Sequence, residues 1–141
     1  MTATITEPTV ITVNGVELLA ALKSIAPMAS KDATLTTIHG VKFEAADGTL
    51  TLIATNTYVL GAYTLTYDGT PFEAFIDSRD IATLTALIKS SVGRETLVPT
   101  GLEIRDDRLH LFIHGATVMS VPLADHSEQG AYRGFPTWRQ L

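Results

Sequence analysis

The amino-acid sequence predicts a single α+β domain in which two amphipathic helices pack on antiparallel sheet. Two segments repeat apolar residues at helical spacing: Leu18, Leu22 and Ile25 in the first, Ile81, Leu84 and Ile88 in the second. Short β-branched or alternating stretches lie between and after them, punctuated by Asn-Gly and Asp-Gly pairs that close turns. The chain has 141 residues, 45% hydrophobic and 18% charged, which is enough to bury one core.

Thr9 to Val13 reads as a strand closed by Asn14-Gly15. A helix follows over Val16 to Ala26, capped by Asn14 and limited by Pro27. Thr37 to Ala45 reads as a strand with Val41, Phe43 and Ala45 on its buried face. Asp47-Gly48 turns the chain into the strand Thr49 to Thr55. After a bend at Asn56-Thr57 comes Val59 to Tyr67, ended by Asp68-Gly69, and then the short strand Phe72 to Ile76. Asp77 or Ser78 caps the second helix, Ile81 to Ser90, and Gly93 terminates it. Thr96 to Val98, Gly101 to Arg105, Leu109 to Ile113 and Thr117 to Leu123 read as strands, with turns at Asp106-Asp107 and His114-Gly115. Residues 1–8 read as a flexible N-terminus and 124–141 as a tail, polar until Phe135-Pro136-Thr137-Trp138. The helices are expected side by side over one continuous curved sheet, their polar flanks turned to a shared concave face.

Composition removes several function classes. No run of about twenty apolar residues exists to span a membrane. Residues 1–10 lack the basic start and apolar middle of a secretion signal. Cysteine is absent, so disulfides and thiolate metal sites are excluded, and a cytoplasmic location is the simplest expectation. Net charge is −5. A protein gripping DNA over its whole surface would be basic. This one binds none, uses one local face, or holds DNA by topology.

Catalytic and metal constellations find little support. His110 and His114, if on a strand, stand about 13 Å apart at strand rise, too far for shared ligation. His39 and His126 have no matched carboxylate spacing, and turn chemistry accounts for Asp106-Asp107. No phosphate-loop, nucleophile-elbow or zinc-protease motif is present. A small hydrolase would need its His and Asp side chains, Asp125 among them, to converge in one pocket. No enzyme and no cofactor are expected.

Ile38-His39-Gly40-Val41-Lys42-Phe43-Glu44-Ala45, followed by Asp47 to Tyr58, forms a G-V-x-hydrophobic-E strand, a D-G-x-L turn and an A-T-x-x-aromatic corner. Ala26 to Lys31 follows the first helix, and Phe135-Pro136-Thr137-Trp138-Arg139 lies near the end of the sequence. In order and spacing these motifs resemble the bacterial DNA polymerase III β subunit, the sliding clamp, from about Val10 to Leu141, and its middle domain most of all. Asn56 stands where that family carries an acidic residue, and Val59 where a basic one is common. One domain fits a fragment of a longer clamp, a short viral or plasmid clamp, or a degenerate relative. Ending within the Phe135 to Leu141 segment favours the fragment, while the Met1 start fits a natural beginning.

The resemblance implies a DNA-clamp fold and a processivity factor in which further clamp domains, or further copies, complete a ring around double-stranded DNA. Both helices would face DNA, with Lys23, Lys31, Arg79, Lys89 and Arg94 meeting phosphates without reading sequence. Each of these cations also fits a plain role as a solvated charge at a helix end. A client-peptide groove would be formed by Ile38, Thr55, Thr57, Tyr58, Val59, Leu60, Pro136 and Leu141, taking an apolar motif from a DNA polymerase or another client. Ile38 and Leu60 fit a plain core role as well. A clamp loader is the further partner implied. The alternative is a clamp-derived module that recruits proteins without encircling DNA, favoured by the acidic charge and the single domain.

Overall fold

The computed structural model describes residues 9–31, 38–56, 58–113 and 116–123. Strand β1 (Thr9–Asn14) runs directly into helix α1 (Gly15–Ile25), and a 3-10 turn, Ala26–Met28, follows. Strands β2 (Gly40–Ala46), β3 (Thr49–Thr55), β4 (Leu60–Thr66), β5 (Asp68–Gly69) and β6 (Phe72–Asp77) lead to helix α2 (Ser78–Val92). Strands β7 (Pro99–Arg105), β8 (Arg108–Ile113) and β9 (Ala116–Pro122) complete the described chain. This is the expected α+β architecture, with both helices near their predicted positions.

The sheet is not continuous. The strands form a five-stranded sheet ordered β5-β1-β7-β8-β9 and a four-stranded sheet ordered β4-β3-β2-β6, antiparallel throughout. The break falls at Asp68-Gly69, predicted only as a strand end. There the chain leaves the smaller sheet and pairs with Ile11 and Thr12 of β1. Gly69 has φ 136°, and a side chain on it would strike the Val10 carbonyl, so the crossing requires glycine. Two hairpin turns use paired left-handed residues: Asp47 and Gly48 at φ 55° and 81°, Asp106 and Asp107 at φ 55° and 60°.

Helix α1 lies against α2, β3 and β4, while α2 lies against β2 and β6. The core forms where Leu18, Leu22 and Ile25 of α1 and Ile81, Leu84 and Ile88 of α2 meet the sheets. Val41, Phe43 and Ala45 of β2 and Leu50, Leu52 and Ala54 of β3 face it, while Thr51, Ile53 and Thr55 alternate onto the opposite face.

Asn14 anchors the first helix and corrects one strand. Its Oδ1 accepts from Val16 N at 3.1 Å, capping α1, and from Val98 N at 3.0 Å. Its Nδ2 donates to the Thr96 carbonyl, and Gly15 N donates to the Val98 carbonyl. Thr96 to Val98 is therefore a connection pinned to the start of α1, not the predicted strand, and regular pairing begins at Pro99. Asn14→Ala strips the acceptor from two amides at once. It should lower unfolding stability by about 2 kcal/mol, the upper end of the N-cap range, with Asn14→Asp recovering most of it in urea titrations.

Candidate functional site

Both helices rest on the four-stranded sheet and on each other, so their solvent-facing flanks share one surface. On α1 that flank shows Glu17, Ala20, Lys23 and Ser24; on α2 it shows Arg79, Ala82, Thr83, Ala86, Lys89 and Ser90. Most of these side chains are small and neutral, so another molecule can approach the helix backbones closely. All five predicted cations are exposed. Lys23 and Lys89 occupy the last turns of their helices, where the dipole favours positive charge. Lys31 follows the 3-10 turn, and Arg94 follows Gly93. Arg79 reaches Asp77 only at 3.8 Å and is 93% exposed, so that ion pair contributes little. Burial, and then the Asp77 carboxylate, push the Asp80 carboxyl above its ordinary range against the pull of Arg79 and Arg108.

A second group of predicted residues gathers where β3 turns into β4. Asn56 Oδ1 accepts from both Tyr58 N and Val59 N at 3.0 Å, and the Asn56 backbone N donates to the Val59 carbonyl. Thr55 Oγ1 donates to the same carbonyl at 2.7 Å. Asn56 thus supplies the acceptor oxygen that an acidic residue would, without the charge. Thr55 pairs in register with Leu60, and Ser30 N donates to both the Ile38 and Thr55 carbonyls, bringing Ile38 to the corner. Ile38 and Thr55 are buried, Leu60 is half-buried, and Val59 and Tyr58 are 51% and 91% exposed. Thr57, Pro136 and Leu141 lie outside the described residues. Asn56→Ala should cost about 1 kcal/mol, since the two hydrogen bonds it removes are solvent-exposed, and Asn56→Asp should restore the wild-type melting temperature.

Thr55 and Leu60 lie on the face of the smaller sheet turned away from the helices, because Ala54 beside Thr55 points into the core. The helical surface and the corner are therefore opposite sides of one sheet. Ser30 and His39, which tie the end of α1 to this sheet, carried no such signal in the sequence. The Ser30 carbonyl can only accept, so the His39 Nδ1 that lies 2.7 Å from it carries the hydrogen. Among the described residues no group of three His, Asp or Glu side chains could hold a metal ion. His39 precedes β2 of the smaller sheet, whereas His110 lies on β8 of the larger one. Among these residues no helix is long and apolar enough to cross a membrane.

This arrangement, two helices side by side on antiparallel sheets, is the fold of one DNA sliding-clamp domain. The DNA polymerase III β subunit of Thermotoga maritima superposes with a TM-score of 0.78 at 14% identity, covering 99% of this chain and 35% of that one. A Pseudomonas aeruginosa sliding clamp bound to griselimycin gives 0.68 at 18% identity, covering 93% and 32%. One from Bartonella birtlesii, also bound to griselimycin, gives 0.71 at 12% identity, covering 92% and 32%. The chain spans about a third of the length of the structures it matches. No protein-family model and no curated protein sequence matches it.

Proposed function

We propose that this chain serves as one domain of a sliding clamp, a non-catalytic processivity factor that helps to enclose double-stranded DNA and docks client peptides. The observation that carries this reading is the division of labour across one sheet. A helical surface with small side chains and exposed lysines lies on one side, and a corner lined by Ile38, Thr55, Val59 and Leu60 lies on the other. A ring requires further clamp domains or further copies of this chain, and a loader to open it. Because enclosure holds DNA by topology, a net charge of −5 is compatible with it, and a few exchangeable phosphate contacts suit sliding. A client's Leu or Phe anchor would bury apolar surface at the corner.

The test is retention on circular DNA, with the loader and any missing domains supplied. The assembled particle should stay on a nicked circle and run off once the circle is linearised. Failure to be retained on the circle counts against the reading. Lys23→Glu, Lys31→Glu and Lys89→Glu should each flatten the salt dependence of retention, by about 0.9 for every phosphate no longer neutralised. The acidic charge favours a second reading, a recruiting module that never encloses DNA. Binding of a Leu- and Phe-bearing peptide, abolished by Leu60→Glu, without any retention on DNA would select it.

A further inference from the structure

A cavity of about 590 Å³ opens between the last turn of α1, the 3-10 turn and the first half of α2. Leu22, Ala26, Ala29 and Ile81 line its apolar floor, and Lys23 and Lys31 stand at its rim. No acidic side chain lines it, although acidic residues outnumber basic ones by 15 to 10 in the chain. Neither lysine has an ion-pair partner among the described residues. Ala82 and Ala86 form the wall on the α2 side, and a larger residue at either position would fill the space.

We propose that this cavity takes one unpaired nucleotide of single-stranded DNA, its base on the apolar floor and its phosphate between Lys23 and Lys31. The inference rests on the reading that the helical surface faces DNA. A duplex shows that surface only phosphates, and its stacked bases cannot enter a recess. A recess that is mostly apolar inside, with Ser30, His39, Ser78 and Thr85 also on its walls, and cationic at the rim matches a ligand with a flat polar-edged ring and an anionic group in one residue. An unpaired nucleotide at a template-primer junction has that chemistry, and the contact is sequence-tolerant.

The experiment measures fluorescence anisotropy of the full chain with labelled oligothymidylate and with a duplex of equal length at one salt concentration. Single strand should bind about tenfold tighter than duplex, a ratio within reach of covering one base face on an aliphatic floor. Ala86→Leu, checked for unchanged thermal unfolding, should bring the ratio of the two affinities to about one. Lys23→Glu combined with Lys31→Glu should weaken single-strand binding more than duplex binding. Equal affinities in the wild type, or a preference that survives Ala86→Leu, overturn the inference. Should that occur while circular DNA is still retained, the clamp reading stands and this one alone fails. Loss of both retention and single-strand binding removes both. Binding of an acidic leucine-containing peptide but not of oligothymidylate would also overturn it, in favour of protein docking.

Discussion

Lys42→Ala should destabilise the domain by about 3–5 kcal/mol, the cost of breaking a buried ion pair by removing one partner. The Lys42 side chain is only 11% exposed, and its Nζ lies 3.0 Å from Glu44 Oε2 and 3.2 Å from Glu73 Oε1. It occupies the face of β2 turned away from the helices, in register with Ile53 of β3 and Phe75 of β6, both buried. Glu44 and Glu73 stand directly opposite each other across β2 and β6, a like-charged pairing that weakens a sheet unless a cation joins it. Removing the lysine therefore takes away an attraction and uncovers a repulsion. The Glu44 carboxylate suffers most, because it is largely buried and cannot turn to water. Lys42→Met keeps the packing of the stem and should cost less than alanine. Lys42→Met with Glu44→Gln should recover much of the loss, since neutral groups of similar shape replace a buried pair at small cost. Glu73→Ala, at a half-exposed position, should cost under about 1 kcal/mol. Urea unfolding of the four variants checks this order, and a Glu73→Ala as damaging as Lys42→Ala would contradict it.

Lys42 also marks where sequence reading stops. Alternation puts Val41, Phe43 and Ala45 inward, as observed, and by the same logic gives Lys42 and Glu44 to solvent. Lys42 is flanked in register by Ile53 and by Phe75, the latter distant in sequence, and no local pattern encodes that register. The helices were legible because their signal is local. Leu18, Leu22 and Ile25, and Ile81, Leu84 and Ile88, mark the buried stripes, and Asn14, Asp77 and Gly93 mark the ends. Thr96 to Val98 misled because β-branched composition resembles a strand, while the partner that holds it, Asn14, belongs to a helix cap. Asp68-Gly69 reads correctly as the end of the preceding strand, but the change of sheet depends on Val10 and Ile11 far upstream.

The candidate sites divide in the same way. The cations could be placed singly, because their positions on or beside the helices follow from helical periodicity. The cavity between the helices could not, because its walls are alanines that become informative only when two helices cross near them. Asn56 looked like a departure from the corner motif, yet geometry shows that the corner needs an acceptor for two amides rather than a charge. Strand β3 makes both surfaces depend on one element. Its Leu50, Leu52 and Ala54 support the helices, and its Thr55 forms the corner. Core damage should therefore reach both surfaces, and damage at Leu60 only one.

Phe43→Ala is the substitution that separates these cases. Phe43 is 1% exposed on β2, with Leu52 opposite it on β3 and Ala74 opposite it on β6, on the face that carries the helices. Ala74 is small, so the aromatic ring has room beside it. Truncation to alanine removes the ring's transfer energy and leaves a cavity that strands fixed on both sides cannot close, at a cost of about 3–5 kcal/mol. A domain with a total stability of about 5–15 kcal/mol keeps little margin after such a loss. The melting temperature should fall by about 10 °C or more, at several degrees per kcal/mol for a chain of this length. Phe43→Leu retains most of the apolar volume and should cost about 1 kcal/mol. DNA retention and peptide binding should fail together in Phe43→Ala, at the temperature where it unfolds. Leu60→Glu should lose peptide binding alone at every temperature below its own melting point. If Phe43→Ala unfolded less than about 1 kcal/mol more easily than the wild type, the packing of α2 on β2 could not be what holds the two surfaces together.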